Sequence, residues 1–454
     1  MTEKEFSQAL RRGLGSAIIE LKSDKNNSAY SDIVLRCCLR DIAHDTQVEG
    51  TKGYYLYTAI KTFDNPEMFL GKIIEKFGKR LYWRLSRQLY DILCCFSNDG
   101  YKNADEALER KYDDLKNRLP ALRKYNHTYS EREQLESLMI RKLSCGFKTF
   151  KQSVYDISEM IAKRGNADCI FFDFVLDHAK EKFGEKRVND FIDEMCEKSS
   201  AIKLLVDTLN ESELSRKEFQ ENMFSKSITV EDLLQNARAA AANENPRSKM
   251  PRYRHLFAKR ASDEDLMELA HAVLRENDDT VKALLLMMFW RKPFPLDITP
   301  LIEYTRSENA LLSEIAMKDL EYVKDKRIHD LALQLLEEKG LDSFALGLLL
   351  KNYRKTDDDA IRKLIVKTSN VPQHVQSDIA DIYTYHRSET ALPILLHVYQ
   401  RGECSHCRYD IVRAMSHCKV LTNEILEECL YDSFEDTRRY AKRLIARNSK
   451  RMGQ

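Results

Sequence analysis

The chain has 454 residues, of which 43% are hydrophobic and 32% are charged. Its 73 Lys and Arg balance 72 Asp and Glu, so overall charge points to neither a nucleic-acid nor a membrane partner. Only 14 Gly and 9 Pro are present, too few for a turn-rich all-β fold. The composition therefore predicts an all-α protein.

The cysteines and the first residues predict a cytoplasmic protein with a reduced interior. There are 11 Cys, and Cys37-Cys38 and Cys94-Cys95 are adjacent pairs that disulfide geometry disfavours as cross-links. The sequence starts MTEKEF, which has no apolar signal core. The longest apolar run, from Ala283 to Trp290, is much shorter than a membrane span. We therefore expect no export, no membrane anchoring and no membrane partner.

Apolar spacing divides the chain into four regions and a tail. Residues 1–98 have the three- and four-residue apolar steps of helical hairpins, and residues 99–224 continue as helices, including a charged, exposed helix from Asp105 to Leu119. Residues 225–261 are rich in basic residues and contain Pro246 and Pro251, which predicts a linker. Residues 262–447 form the repetitive region, and 448–454 form a tail.

The repetitive region contains six related helical stretches, which begin at Asp279, Ala310, Asp342, His374, His406 and Asp436. Their matching apolar positions recur at intervals of roughly 30 residues, as in arrays of helix–turn–helix units. These positions are Leu284, Ile315, Leu346, Ile379, Ile411 and Ala441. The second stretch departs from the pattern, because Lys318 and Asp319 stand where the others have apolar residues. The period predicts stacked helical hairpins that form a HEAT/armadillo-like α-solenoid.

The aligned helices resemble the second helices of short, phycobilisome-lyase-like bacterial HEAT repeats. The stretches RRGLGSAI (Arg11 to Ile18), HDTQVEGTKGYYLY (His44 to Tyr57) and GECSHCRYDIV with ECLYDSFEDTR (Gly402 to Val412 and Glu428 to Arg438) are similar to signatures of uncharacterised bacterial HEAT-repeat proteins. The resemblance implies an α-solenoid and a bacterial origin, and it carries no activity to transfer.

One short motif has the spacing of a half-site for a metal. Cys404-Ser-His-Cys407 supplies two soft ligands, and zinc needs four, so Cys429 and His397 are the candidates to complete a tetrahedron. Two other interpretations stay open. Cys407 stands in the column of Leu311 and Val375, which favours a small core residue, and a thiol of lowered pKa at a helix start is the third. No other cofactor is expected.

A polar patch in the N-terminal region combines Asp45, Gln47 and Glu49 with Arg11 and Arg12. These residue types suit acid–base chemistry or ion binding. The alternative is structural, because Asp45 can cap a helix and Glu49 suits its positive first turn. If the sequence holds a functional polar patch, this is where we expect it.

Two basic clusters are candidates for a binding surface. The C-terminal cluster lies on the second helices of the repeats, which line the concave side of HEAT-type solenoids, and it consists of Arg408, Arg413, Arg438, Arg439, Lys442 and Arg443. The linker adds Arg252 and Arg254 beside Tyr253. Such a groove would attract phosphates or an acidic partner, whereas the simpler interpretation is a solvated helix face.

The sequence favours a binding protein over an enzyme, because no phosphate loop, catalytic triad spacing or H-E-x-x-H motif is present. Our leading hypothesis is a non-catalytic scaffold or adaptor that holds another protein in its concave groove. The alternative is a nucleic-acid-binding protein that resembles the HEAT-like alkylpurine DNA glycosylases. That resemblance would assign roles to Trp83, Trp290, Tyr253 and Asp45.

Overall fold

The computed structural model of the protein describes residues 1–23, 27–79, 81–118, 128–164, 172–225, 228–338, 340, 342–367 and 370–452. Across these residues the secondary structure consists of α-helices with short 3-10 turns, and no strand is formed. An isolated bridge joins Val371 to Gly402. The all-α fold class predicted from composition is therefore confirmed. None of the helices in these ranges is long and apolar enough to cross a membrane.

The chain contacts divide the protein into two compact units, residues 1–220 and 221–454. Among its described residues, the first unit contains the following helices, the last of which runs across the boundary: α1 Glu3–Arg12, α2 Gly15–Ser23, α3 Ser31–Cys38, α4 Thr46–Glu49, α5 Gly53–Ile60, α6 Glu67–Phe77, α7 Trp83–Asn98, α8 Lys102–Arg118, α9 Thr128–Lys142, α10 Phe147–Arg164, α11 Asp173–Phe183, α12 Glu185–Lys198 and α13 Ser200–Ser225.

The second unit continues with fourteen helices: α14 Val230–Ala241, α15 Pro251–Arg260, α16 Asp263–Arg275, α17 Asp279–Leu286, α18 Thr299–Tyr304, α19 Ala310–Leu320, α20 Lys326–Leu335, α21 Asp342–Asn352, α22 Asp358–Val366, α23 Gln373–His386, α24 Leu392–Arg401, α25 Ser405–His417, α26 Asn423–Cys429 and α27 Glu435–Met452.

Capping side chains fix where many of these short helices begin. Thr2 and Glu5 form a capping box at the start of α1, and Ser262 and Asp265 form another at α16. Asn309 accepts hydrogen bonds from two backbone amides at the start of α19. Each such cap stabilises its helix by about 1 kcal/mol, because it pairs amides that have no partner within the helix.

The six matching apolar positions of the predicted repeat are buried and lie on alternate helices of the second unit. The six matching residues lie on α17, α19, α21, α23, α25 and α27, and each is at most 6% exposed. Each of these helices packs against the next one in the series. We call them the second helices. The hairpin partners α18, α20, α24 and α26 each pack against the second helix that follows. A stacked array therefore buries apolar stripes that single hairpins would expose.

The expected basic linker is instead a folded part of the second unit. Helix α14 occupies much of this segment and packs against α16 and α17. Pro246 opens a 3-10 turn and Pro251 opens α15. Proline is tolerated in the first turn of a helix, where its missing N–H has no partner to lose. The two prolines therefore mark helix starts here.

The expected division after residue 98 also differs from the structure, because α7 and α8 pack together within the first unit. The charged helix predicted from Asp105 is α8, and one of its faces is buried through Leu108, Tyr112 and Leu115. It is therefore amphipathic, with charges confined to the opposite face. Leu119, the expected end of this helix, lies outside the described residues.

Candidate functional site

Arg408, which the sequence placed in a basic groove, is a buried structural residue. Its side chain is fully buried and pairs with Asp432, with distances of 2.6 Å from Nε to Oδ2 and 3.3 Å from Nη2 to Oδ1. Asp432 also accepts a hydrogen bond from the backbone amide of Phe434. The prediction of a surface role for Arg408 is therefore wrong, because its partner comes from the loop before the next second helix.

Arg438 contributes to the same turn. Its Nη1 donates to the backbone carbonyls of Asp432 and Ser433 at 2.6 and 2.8 Å. Main-chain carbonyls are permanent acceptors, and a guanidinium that pairs two of them holds a loop in one conformation. Arg438 is therefore a loop-fixing residue, and the sequence prediction that it lines a groove is corrected.

The other four residues of the predicted C-terminal cluster are exposed: Arg413, Arg439, Lys442 and Arg443. Arg439 lies 2.5 Å from Glu435 and 3.9 Å from Asp436, and Arg413 lies 3.5 Å from Asp410. Exposed pairs of this kind contribute little to stability, and their charges partly cancel. These four residues form a mixed-charge surface at the C-terminal end of the array.

Acidic side chains lie on or directly next to four of the second helices. We define the acidic seam as Glu321, Asp342, Asp378, Asp381 and Asp410, which belong to or directly follow α19, α21, α23 and α25. Ser343 donates a hydrogen bond to Asp378 at 3.1 Å, which links α21 to α23. The seam therefore crosses four consecutive second helices.

Gly347 of α21 makes room for the first residue of the seam. A Cβ atom at position 347 would lie 2.7 Å from the carboxyl carbon of Glu321, which is closer than real Cβ contacts. Glu321 follows α19, and its carboxyl group therefore reaches across the neighbouring helix where that helix lacks a side chain. This contact brings Glu321 into the electrostatic range of Asp378 on α23.

The carboxyl groups of the seam share an environment that disfavours negative charge. Burial raises the pKa of Glu321 to about 7, and the charge of Asp378 adds to the effect. Burial also raises the pKa of Asp378 to about 7, assisted by Asp381 and Asp342 and opposed by the hydrogen bond from Ser343. Each carboxylate therefore makes its neighbours harder to ionise.

The same interaction continues toward α25. The pKa of Asp381 is raised by desolvation and then by the charge of Asp410, and Arg413 opposes the shift. At the other end, Lys318 lowers the pKa of Glu321, although its ammonium group is 2.7 Å from Glu314. Lys318 is therefore shared with a carboxylate outside the seam, whereas Arg413 lies 3.5 Å from Asp410 within it. The seam has more carboxyl groups than these two cations, so it attracts positive charge.

Asp319 is a buried residue next to Glu321 of the seam. In the sequence it stands at one of the two positions where the second stretch departs from the repeat. It is 6% exposed, and its Oδ2 has no hydrogen-bond partner. Burial raises its pKa well above the ordinary value, and the charge of Glu321 adds to this. A carboxylic acid without partners is neutral in such surroundings. An approaching cation would favour its ionisation.

The proposed zinc ligands do not form a metal site. Cys404 and Cys407 are both buried at the start of α25, and their thiols are close enough to interact. Cys429 instead contacts the hydroxyl of Tyr399 at 3.8 Å. In the described part of the chain, which includes all four candidates, no group of three or more His, Cys, Asp or Glu is arranged to hold a metal ion.

The other two interpretations of the cysteine motif are decided by burial. Cys407 is 5% exposed and lies in the core, as its repeat column predicts. The pKa of Cys407 is raised, first by the hydrogen bond with Cys404 and then by burial, which argues against an activated thiol at Cys407. His397, the fourth proposed ligand, has a lowered pKa because burial disfavours its charged form. It is therefore neutral near pH 7.

The N-terminal polar patch is a helix cap with a buried ion pair. The Asp45 side chain accepts from the amide of Gln47 at 2.9 Å and caps α4, as the structural alternative predicted. Buried Glu49 accepts from the amide of Asp45 at 3.2 Å, and the ammonium group of Lys52 lies 3.8 Å from it. The expected functional patch is therefore a structural feature.

The two arginines of that patch contribute differently from the prediction. Arg11 supplies its backbone carbonyl, which accepts a hydrogen bond from buried Lys52 at 2.9 Å, while its side chain is exposed. Arg12 is half-buried. At Arg11 the contact is therefore made by the main chain.

The basic residues near α15 meet one of the two tryptophans. The guanidinium of Arg254 lies 5.3 Å from the ring centre of Trp290, and that of Arg291 lies 5.6 Å from it. His255 is also close, with ring centres 5.4 Å apart. Trp290 and Arg291 both have positive φ, at 25° and 70°, which is rare for residues with side chains. Arg252 is exposed beside this basic–aromatic patch.

Comparison of the chain with protein-family models, with curated proteins and with solved structures finds no match. The fold and the site together define an all-α protein with serially packed helical hairpins and an acidic surface on its second helices. The resemblance to bacterial HEAT-repeat proteins stays a prediction.

Proposed function

We propose that the protein is a non-catalytic scaffold that binds another protein on the second helices of its C-terminal unit. The acidic seam then selects a basic segment of that partner. The observation that carries this proposal is the continuity of the seam, in which Glu321 is affected by the charge of Asp378, Asp378 by that of Asp381, and Asp381 by that of Asp410. An acidic partner or a phosphate backbone would be repelled along this surface.

Because the pKa values of Glu321 and Asp378 are raised, protons compete with a bound cation for these carboxyl groups. Near pH 7 Glu321 and Asp378 are each close to half-protonated, since the pKa of both is about 7. A lysine or arginine placed between them would favour the charged forms and release protons. Each unit by which the partner lowers a pKa corresponds to about 1.4 kcal/mol of favourable interaction.

The spacing of the second helices suggests which basic segments would fit. Packed helices lie about 8–10 Å apart, and a polyproline II segment advances about 3.1 Å per residue with three residues per turn. Every third residue of such a segment points to the same side and would therefore meet successive second helices. We accordingly expect a partner segment that has Lys or Arg at every third position and a polyproline II backbone.

A labelled synthetic peptide with lysine at every third position tests the proposal. We expect the protein to bind it with an affinity that falls as salt concentration rises. Glu321→Gln with Asp378→Asn should weaken binding at least tenfold. The control is Asp359→Asn with Glu424→Gln, which makes the same two kinds of substitution at exposed positions outside the seam. Equal binding by both double variants would overturn the proposal.

A nucleic-acid partner is the second candidate, favoured by the contact of Arg254 and Arg291 with Trp290. Exposed bases stack on aromatic rings, and guanidinium groups bind phosphates, so this patch suits a single strand. We expect Arg254→Glu to abolish salt-dependent binding of a labelled oligonucleotide, and exposed Lys442→Glu serves as the control. Absence of binding by the unmodified protein would remove this candidate. The sequence had suggested Asp45 as a carboxylate for a nucleic-acid-binding protein of this kind. In the structure the Asp45 side chain caps α4.

A further inference from the structure

The first unit contains a cavity that is independent of the acidic seam. It lies between α7 and α9, and one residue of α11 closes its side. Its volume is about 240 Å³. Since a water molecule takes up about 30 Å³ in the liquid, the cavity has room for roughly eight waters or for one small organic molecule.

Regular helical spacing gives the cavity its two main walls. On α7, Trp83, Arg87 and Tyr90 follow one another at steps of a helical turn, so they face the same side. On α9, Glu133 and Glu136 do the same. Two aromatic rings and an arginine on α7 therefore face two carboxyl groups on α9.

Two hydrogen bonds hold these walls together. The Gln134 amide donates to the hydroxyl of Ser86 at 2.7 Å, and the Tyr90 hydroxyl donates to the carbonyl of Ser137 at 2.8 Å. Both bonds join α7 to α9, and all four residues line the cavity. The cavity is therefore formed in the folded protein without help from a ligand.

Phe174, near the start of α11, lines the cavity but is not packed into the protein core. Its ring is 55% exposed although it lines the cavity. The exposed face of this ring is available for contact with a molecule in the cavity. A bound molecule with an apolar body would cover it.

The charges around the cavity are mainly negative. Glu136 carries a buried oxygen, Oε1, without a hydrogen-bond partner. Burial raises the pKa of Glu136 to about 7, and the charges of Asp173 and Glu133 add to the shift. Arg87 is the cation in the lining, and it is exposed. Three carboxyl groups therefore face one arginine, and Glu136 lacks a compensating partner.

We propose that this cavity binds a small organic amine, whose ammonium group meets Glu136 and whose apolar body lies against Trp83 and Phe174. An ammonium group supplies the positive charge and the hydrogen-bond donors that the carboxyl group lacks. Aromatic faces attract cations, and this attraction strengthens when water is excluded. A neutral molecule of the same shape would cover Phe174 but leave the carboxyl group without a partner.

Binding must become stronger as pH rises through about 7, because Glu136 has to ionise to pair with the ammonium group. An alkylamine keeps its charge throughout, since an ordinary ammonium pKa is about 10. The other groups facing Glu136 are Arg87 and Tyr90 from α7, Glu133 from α9 and Asp173 from α11. The pKa of Tyr90 is raised by burial, so it stays neutral.

One more titratable group lies close by and must be separated from Glu136. His178 is one turn further along α11, where its Nδ1 is 2.8 Å from the carbonyl oxygen of Phe174. A histidine changes charge in the same pH range. The pH dependence must therefore disappear in a variant that changes Glu136 and leaves His178 intact.

Calorimetric titration of the whole protein with phenethylamine tests the proposal, and phenethyl alcohol provides the neutral counterpart of similar shape. We expect saturable binding of the amine, and binding roughly tenfold tighter at about pH 8 than at about pH 6 as Glu136 ionises. Phenethyl alcohol should bind at least tenfold more weakly. Equal affinity for the amine and the alcohol would overturn the proposal, as would absence of amine binding at millimolar concentration.

Two variants keep the test independent of folding defects. Glu136→Gln should weaken amine binding at least tenfold and remove its pH dependence, whereas Glu159→Gln, at an exposed position on α10, should change neither. Phe174→Ala changes an exposed ring and leaves the core intact, and it should also weaken binding. Persistence of the pH dependence in Glu136→Gln would assign it to His178 and contradict the proposal.

Discussion

The carboxyl group of Glu321 lies directly over the backbone of Gly347, on the neighbouring second helix. A Cβ atom on residue 347 would be 2.7 Å from the Glu321 carboxyl carbon. This contact brings a side chain that follows α19 toward Asp378 on α23, so three helices of the array share one electrostatic environment. The position of Glu321 in the acidic seam depends on residue 347 being glycine.

Replacement of Gly347 tests that dependence. Gly347→Ala should move the Glu321 side chain outward, because its flexible end can shift more easily than the helix backbone. Its pKa should then fall from about 7 toward the ordinary value as water reaches the carboxyl group. Carboxyl NMR titration measures this change. Gly71→Ala on α6, where a Cβ meets nothing within 4 Å, is the control. An unchanged Glu321 pKa would contradict the proposed contact.

Asp319 should make the protein less stable at high pH. Its pKa in the folded protein is raised, so the folded state holds a proton that the unfolded chain releases above about pH 4. The free energy of unfolding should therefore decrease as pH rises from about 5 to about 8.

The variant Asp319→Asn isolates this effect. At about pH 8 it should be more stable than the unmodified protein by an amount on the order of 1–3 kcal/mol, and the difference should vanish near pH 4. Denaturant titrations at several pH values give the comparison. The matched change Asp359→Asn, on the exposed side of α22, should show no such trend. A constant stability difference across the pH range would contradict the raised pKa.

The buried pair of Arg408 and Asp432 should contribute strongly to stability. Arg408→Met leaves a fully buried carboxylate without its partner, and such losses amount to about 3–5 kcal/mol. Arg413→Met, on the same helix but 45% exposed, should change the free energy of unfolding by less than about 0.5 kcal/mol. Thermal or denaturant unfolding distinguishes the two. Similar stability of both variants would show that Arg408 is not the structural residue described above.

Thiol labelling should follow burial and not metal binding. Cys145 is exposed, whereas Cys404, Cys407 and Cys429 are buried. Alkylation of the native protein should therefore modify Cys145 at least tenfold faster than the buried thiols, because the reaction needs an accessible thiolate. Mass spectrometry of peptides reports each site. A metal chelator should leave these rates unchanged, and faster labelling of Cys404 and Cys407 in its presence would restore the zinc hypothesis.

The repeat pattern could be predicted because it depends on one chemical property at a fixed spacing. Leu284, Ile315 and Leu346 are apolar at corresponding positions, and burial is the only arrangement that satisfies such a column. The exception at Asp319 was also visible in the sequence. The raised pKa of Asp319 could not be predicted, because it depends partly on the charge of Glu321. A sequence pattern does not specify which side chains contact each other.

The acidic seam could not be predicted from the sequence, because a sequence pattern does not show which polar side chains lie close together. Arg408 looked like its basic neighbours, and only the structure shows that Asp432 pairs with it 24 residues later. Glu321 and Asp378 lie on helices separated by another helix, and the gap at Gly347 that joins them has no signature in charge or hydropathy. Long-range pairing of polar side chains therefore decides where this protein has a charged surface.

The most direct test of the scaffold proposal is the pKa of Asp378 with and without the lysine peptide. Carboxyl NMR titration of the free protein should give a value of about 7. With the peptide bound, the pKa should fall by at least about one unit, since a nearby cation favours the carboxylate. A peptide that binds tightly and leaves the Asp378 pKa unchanged would contradict the assignment of the acidic seam as the binding surface.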